Sequence, residues 1–343
     1  MLAETRAGAT LVAWPNQSSM KVSILIPTCR RPAMLGDAIH SARAQSYSNV
    51  EIVISDDGGD AESQRIIAEH VAADPRVRLA PKNPTPGLFE NFNHLLGQST
   101  GEVFIFLCDD DRLLPHCVER LVVALEKHPE AVAAVGEFWF CDATGRRLEH
   151  ESRVHIERAL RVGVPEGIWP GALHQAIIAK LNVGCALFRA KELGYPRFDL
   201  NSKTVGDVEL WIRTALAGPV YYTPERLTEL RQHPQSISAG PLVPILDGMV
   251  YTLTKHAGRA PAFERDRLMV LQIFRASYAW QLAADDAPRA RRLFLDYLRD
   301  AGTVPHWPAV PSLLAALVLS SLPRPAARPL RKALQRFKQI AQR

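Results

Sequence analysis

Three carboxylates stand side by side at Asp109, Asp110 and Asp111, closing the apolar run Val103-Phe104-Ile105-Phe106-Leu107. Adjacent acids repel one another, and a divalent cation or a shared proton lowers that energy. A second pair, Asp56-Asp57, closes another apolar run and is followed by Gly58-Gly59, where the backbone can turn sharply. Taken singly, each cluster is an ordinary turn or helix N-cap. Two of them at strand ends point to one ligand spanning both, because open α/β sheets bind ligands outside the carboxyl ends of their strands.

Those acids need a sheet to hold them. Residues 22–27, 50–55, 77–79 and 103–107 read as strands. Helical spacing follows each: Met34, Leu35, Ala38, Ile39 and Ala42; then about 61–72; then the segment with Asn91, Asn93 and His94; then Val118, Leu121, Val122 and Leu125. The strands are apolar throughout rather than alternating, which predicts an α/β fold with a doubly wound, mostly parallel sheet covered by helices on both faces. Further strands are expected at 132–135, 185–188 and 220–222, whereas 149–184 reads as irregular and suits acceptor-binding elements. Beyond Gly240, Leu268, Leu271, Phe274, Tyr278 and Leu282 share one helical face and 293–298 lie in a second helix. The predicted organisation is a flexible leader (1–19), a catalytic domain (20–240) and a C-terminal helical extension (241–343).

Composition narrows the class. The chain has 343 residues, 47% hydrophobic and 22% charged, which excludes global disorder. Net charge is +5, but seven cations and no acid lie in 324–343, so the body is slightly acidic. That argues against nucleic acid as a partner and for one local anionic surface. Residues 310–322 are apolar yet too short to span a bilayer, and Leu330, Leu334, Phe337 and Ala341 line one face of the basic stretch. Docking on an anionic membrane and a helical cap with a solvated basic tail are equally good readings of it. Five cysteines without a C-x-x-C pair, and no cationic segment leading into an apolar one at the N-terminus, suit a reduced, cytoplasmic setting. A Gly-rich dinucleotide fingerprint and a Walker loop are both missing, so a metal is the candidate to hold phosphates.

Five pieces in order resemble the family 2 glycosyltransferases with the GT-A fold: Ile24-Leu25-Ile26-Pro27-Thr28, Ser55-Asp56-Asp57-Gly58-Gly59, Leu107-Cys108-Asp109-Asp110-Asp111 with Leu114-Pro115, Gly206-Asp207-Val208-Glu209-Leu210-Trp211, and Leu230-Arg231-Gln232-His233. The resemblance implies that Pro27, Thr28 and Asp56 or Asp57 border the base and ribose of a nucleotide-diphosphate sugar. Asp109 and Asp110 stand where the family's D-x-D motif meets ribose and a divalent Mg²⁺ or Mn²⁺, with Asp111 alongside. Asp207 matches the catalytic base, with Glu209 as the alternative; Arg231 and His233 stand near the diphosphate or metal. The implied reaction is an inverting transfer to a glycan or lipid-linked acceptor in bacterial cell-envelope synthesis. It is non-processive, since the Gln-x-x-Arg-Trp motif of polymerising members is missing. Two positions depart from the family pattern: Cys108 replaces an Asp of the motif, and Gly206 replaces the acid that often precedes the base.

Plainer readings stand beside these. Asp207 also suits a helix N-cap, His233 a solvated loop, Asn91, Asn93 and His94 a helix surface, and Trp139 and Trp169 aromatic core rather than an acceptor pocket. Cys108, beside three acids, is expected to have a raised thiol pKa and not to act as a nucleophile. Two rival functions remain: a nucleotidyltransferase of related architecture, for which 28–32 lacks the Gly loop, and a catalytically silent nucleotide-sugar-binding scaffold.

Overall fold

The computed structural model describes residues 20–83, 86–193, 197–234, 236, 240–301, 310–322 and 325–332. The expected leader at 1–19 and the tail positions Leu334, Phe337 and Ala341 lie outside the described residues.

Strands β1 (Val22–Thr28), β2 (Val50–Asp56), β3 (Val77–Leu79) and β4 (Val103–Phe106) pair in parallel in the order β3-β2-β1-β4. Their side chains part alternately to two faces. Leu25, Val53, Phe104 and Phe106 join one hydrophobic cluster, while Ile24, Ile26, Ile52, Ile54 and Ile105 join another. Both faces of β1, β2 and β4 are buried, which is why these strands read as mostly apolar runs interrupted only by Ser23, Glu51 and Ser55 before their ends. Helices α1 (Pro32–Arg43), α2 (Ala61–Ala73) and α4 (Cys117–Lys127) feed the isoleucine-rich side; α3 (Leu88–Gln98) packs Phe89 and Phe92 on the other.

Past β4 the sheet is mixed. β8 (Ala186–Arg189) runs antiparallel to β4, β6 (Ala133–Cys141) antiparallel to β8, and β9 (Val220–Arg231) parallel to β6. β5 (Arg112–Leu113) and β7 (Gly167–Ile168) both pair antiparallel with β9. The strand expected at 220–222 therefore continues to Arg231. Pro224 does not stop it, because the register with β6 shifts there and the missing N–H falls outside the ladder.

The region 149–184, expected to be irregular, contains α5 (Glu149–Arg158) and α6 (Ala172–Ile177). Only Ser152 of α5 is buried, so it has no apolar stripe for periodicity to reveal. Helix α7 (Gly206–Ala217) follows β8 and carries Asp207 in its first turn. Then come α8 (Leu242–Lys255), α9 (Glu264–Leu282), α10 (Ala287–Ala301) and α11 (Val310–Ser320). Met249, Leu253, Val270 and Leu271 belong to the same core cluster as Phe104, so α8 and the first half of α9 are seated on the sheet. The second half of α9 forms a separate cluster with Leu293, Tyr297, Ala316 and Leu319.

Candidate functional site

Parallel register brings the acids to one edge. Thr28 pairs with Asp56, and Leu25 with Phe106, so the residues just beyond β4 stand level with the end of β1. A cavity of about 870 Å³ opens there, lined among others by Pro27, Thr28, Asp57, Asp109, Asp110, Asp111 and Asp207. Residues more than 170 positions apart thus share one space.

The three adjacent acids face different partners. Asp109 Oδ2 accepts from Thr28 Oγ1 at 2.8 Å and from the Cys29 N–H at 3.4 Å. Arg31 Nη1 lies 3.2 Å from Asp109 Oδ1 and 3.1 Å from Asp110 Oδ2. His233 Nε2 meets that same Asp110 oxygen at 2.9 Å. Asp111 Oδ1 accepts the backbone N–H of Arg231 at 2.9 Å. Burial pushes the Asp109 carboxyl above its usual range; burial and the neighbouring Asp110 charge push Asp111 well above it.

Asp56 and Asp57 divide their work. Asp56 closes its own turn, accepting the Gly58 and Gly59 N–H groups at 2.9 and 3.0 Å and a bond from Gln64, and it does not line the cavity. Asp57 does line it, held by Asn83 Nδ2 at 3.2 Å and the Gly87 N–H at 2.8 Å. The β1 and β2 loops touch at Gly58, where a Cβ would stand 2.6 Å from Arg30 Cγ and 2.7 Å from its backbone nitrogen. Only glycine lets the two loops approach so closely.

Arg231 and His233 approach from the end of β9 and lie outside the cavity lining. The Arg231 guanidinium turns away to Asp37 Oδ2 at 3.0 Å, so this residue meets the acids through its backbone. His233 is not a solvated loop residue: its side chain is 3% exposed and packed on Asp110.

Asp207 and Glu209 are separated by helix geometry, since residues two apart point to different faces. The cap position of α7 is Val205, so Asp207 is a first-turn residue rather than the N-cap. It faces the cavity, and burial pushes its carboxyl up to about 6. Glu209 is fully buried on the other side. Burial alone would raise its pKa, but bonds from His256 Nε2 (3.2 Å), Arg213 Nε (2.8 Å) and Lys255 Nζ (2.7 Å) outweigh that and hold it at about 2. Glu209 ties α7 to α8, whereas Asp207 opens into the cavity.

The missing acid at 206 also has a steric reason. A Cβ there would stand 2.8 Å from the Phe89 ring, which stacks on Phe198 with centroids 4.7 Å apart. Asn91, expected on a helix surface, is buried and lines the cavity, with Nδ2 bonded to the Ser55 carbonyl at 3.1 Å. Asn93 clamps the Phe198 backbone through both its amide atoms, and His94 Nε2 meets the Pro81 carbonyl at 2.7 Å. Trp169 is core, packed on Tyr222, while Trp139 lies beneath the Arg226 and Arg147 guanidiniums; neither lines the cavity. Sequence reading also passed over Arg31, Ala179, Asn182 and Ile245. Arg31 could have been suspected as a cation at the end of a strand beside acids; Ala179 and Ile245 carry no local signal.

The residues present fit a divalent cation. Cys108 Sγ and carboxylate oxygens of Asp110 and Asp111 lie within 4.8 Å of one another. Carboxylates crowded into a half-buried site suit Mg²⁺ or Mn²⁺. The Cys108 thiol is pushed well up by burial and the nearby acids and stays protonated, as expected.

The sheet and its acid-lined mouth have the GT-A fold of solved glycosyltransferase structures. Residues 23–175 match the model of Glycosyl transferase family 2. The chain is 32% identical over 145 residues to GalNAc(5)-diNAcBac-PP-undecaprenol beta-1,3-glucosyltransferase of Campylobacter jejuni, an alignment covering 39% of this chain and 45% of that protein. It is 28% identical over 201 residues to the putative glycosyltransferase EpsE of Bacillus subtilis, covering 57% of this chain and 67% of the relative. The chain thus spans under half of the Campylobacter relative, and 51% of an uncharacterized glycosyltransferase of Haemophilus influenzae. Among solved structures, S. aureus TarS 1–349 in complex with UDP-GlcNAc superposes with a TM-score of 0.63 at 14% identity, covering 90% of this chain and 92% of the other. The mannosyltransferase PcManGT from Pyrobaculum calidifontis, in complex with GDP-Man and Mn²⁺, gives 0.57 at 15%, covering 91% and 83%.

Proposed function

We propose that the chain is a metal-dependent, inverting, non-processive glycosyltransferase that moves a sugar from a nucleotide-diphosphate sugar to a hydroxyl of a glycan or lipid-linked acceptor. One observation carries this reading: Asp207, its carboxyl pushed up to about 6, opens into the same cavity as Asp57 and the triple acid. A carboxylate with that pKa is ionised at neutral pH yet basic enough to take a proton from an acceptor hydroxyl. The acceptor oxygen attacks the anomeric carbon as the bond to the diphosphate oxygen breaks, and its proton passes to Asp207. A single displacement inverts the anomeric configuration.

Pro27, Thr28 and Asp57 border the base and ribose, with Asp56 shaping the turn beneath them. Asp109, tied to Thr28, faces the ribose side. Asp110 and Asp111 are the carboxylates suited to hold Mg²⁺ or Mn²⁺, His233 orients Asp110, and Arg231 fixes Asp111 through its backbone. A bound divalent cation would supply charge neutralisation for the leaving diphosphate. Residues 20–240 form the transferase domain in this reading, and the extension from 241 closes it through α8. The undecaprenol-linked acceptor in the name of the Campylobacter relative supports a lipid-linked glycan of the cell envelope as acceptor, and with it a cytoplasmic reaction at the membrane face.

Among the described residues no helix is long and apolar enough to cross a membrane. Peripheral docking on anionic lipid is supported by the exposed Leu295, Leu298, Leu314 and Val318, with exposed Arg291, Arg292 and Arg299 on the same helical layer. Liposomes containing anionic lipid should retain the chain and release it when Leu314 and Val318 are both replaced by Gln; equal retention removes the membrane reading.

A thermal-shift screen of UDP-, GDP-, dTDP- and CMP-sugars with and without Mn²⁺ tests the donor site. Metal-dependent stabilisation by a diphosphate nucleotide is expected. Its absence for all of them overturns the assignment.

A further inference from the structure

A cation supplied by the chain stands between two of the acids. Arg31 Nη1 contacts Asp109 Oδ1 at 3.2 Å and Asp110 Oδ2 at 3.1 Å, and its side chain is 22% exposed against 5% and 12% for the two carboxylates. The backbone around it is fixed on both sides. Pro32 opens α1, and Arg30 has a positive φ of 54°, a conformation that costs a non-glycine residue energy unless its surroundings impose it. The placement of Arg31 is thus built into the β1–α1 turn.

A guanidinium and a divalent cation compete for the same carboxylate. Placed together on Asp110, two positive charges repel at short range. A diphosphate offers the planar guanidinium a multiply charged, bidentate partner at least as good as the carboxylates.

We infer that Arg31 is a resident counter-ion of Asp109 and Asp110 that competes with the divalent cation, so that metal enters together with the nucleotide diphosphate rather than before it. The inference rests on the metal-dependent reading above. Linkage then requires nucleotide and metal each to strengthen the other's binding, with Arg31 supplying much of that coupling.

The test is the affinity for Mn²⁺ alone, read by electron paramagnetic resonance of free Mn²⁺, in the wild-type chain and in Arg31→Gln, Arg31→Met and Arg31→Lys. The two neutral variants should bind Mn²⁺ about tenfold more tightly than wild type, the lower end of what one close like charge does to a half-buried ionic site. Arg31→Lys should stay near wild type. Repeating the titration with saturating nucleotide diphosphate, chosen from the thermal-shift screen, should tighten Mn²⁺ binding in wild type and do so less in the neutral variants. Unchanged or weaker Mn²⁺ binding in both neutral variants overturns the inference and leaves the metal reading standing. No Mn²⁺ binding by any of the proteins, with or without nucleotide, overturns both.

Discussion

Thr28 Oγ1 donates a 2.8 Å hydrogen bond to Asp109 Oδ2, joining the last residue of β1 to the first acid beyond β4. The bond exists because the two strands are parallel neighbours in fixed register, so each residue's partner follows from the pairing upstream. Thr28 is 2% exposed. Thr28→Val should cost about 1–3 kcal/mol in urea unfolding, the penalty for leaving a buried charged acceptor short of a partner. Thr28→Ser should restore most of it.

Asp207→Asn should lower turnover by about 10²- to 10⁴-fold while leaving donor affinity in place, because a general base acts on the acceptor proton and not on the nucleotide. Stability should move the other way. The folded carboxyl titrates at about 6 against its usual 3.8, so the folded state holds more protons between those values and stability falls as pH rises through them. The Asn variant escapes that loss. It should be more stable than wild type at pH 7, by up to about 3 kcal/mol, with the difference closing near pH 4.

The same group sets the acid limb of the rate profile. Log kcat/KM should fall with unit slope below about pH 6 as Asp207 is protonated, and a limb near pH 4 would assign the base elsewhere.

Glu209→Gln is expected to behave as a structural variant. Glu209 sits at about 2 because Arg213, Lys255 and His256 surround it, so its contribution is present above pH 4.5 and is lost as pH falls toward 2. Removing the charge leaves Arg213 and Lys255 uncompensated and should cost about 3 kcal/mol at pH 7. Measured on the folded fraction, turnover should change far less than in Asp207→Asn.

Gly206→Glu would restore the acid that the family pattern leads one to expect before the base. Here its Cβ meets Phe89 at 2.8 Å, and the ring is hemmed in by Phe92 and Phe198. Destabilisation of about 1–3 kcal/mol is expected, visible as a lower melting temperature with no gain in rate.

The first half of the fold was legible because its signals are local. β1 and β4 are buried at every position and β2 at all but its last, so apolar residues dominate them, and helical spacing follows each strand. The second half was less so. α5 buries one side chain and leaves no periodic trace, and β9 crosses a proline that reads locally as a stop. At the site, the acids announced themselves by position, but Asn91 looked like one polar residue on an amphipathic helix until packing buried it.

The sequence by itself determined that acids would crown a sheet edge, since strand burial and the residues that end a strand depend on neighbours a few positions away. Only the tertiary structure decided which acid faces which partner. Asp109 turns to Thr28, Asp110 to Arg31 and His233, Asp111 to the Arg231 backbone, and Asp57 rather than Asp56 lines the cavity. Those pairings join residues up to 123 positions apart. Strand register and helix packing place such partners, and no local pattern encodes them.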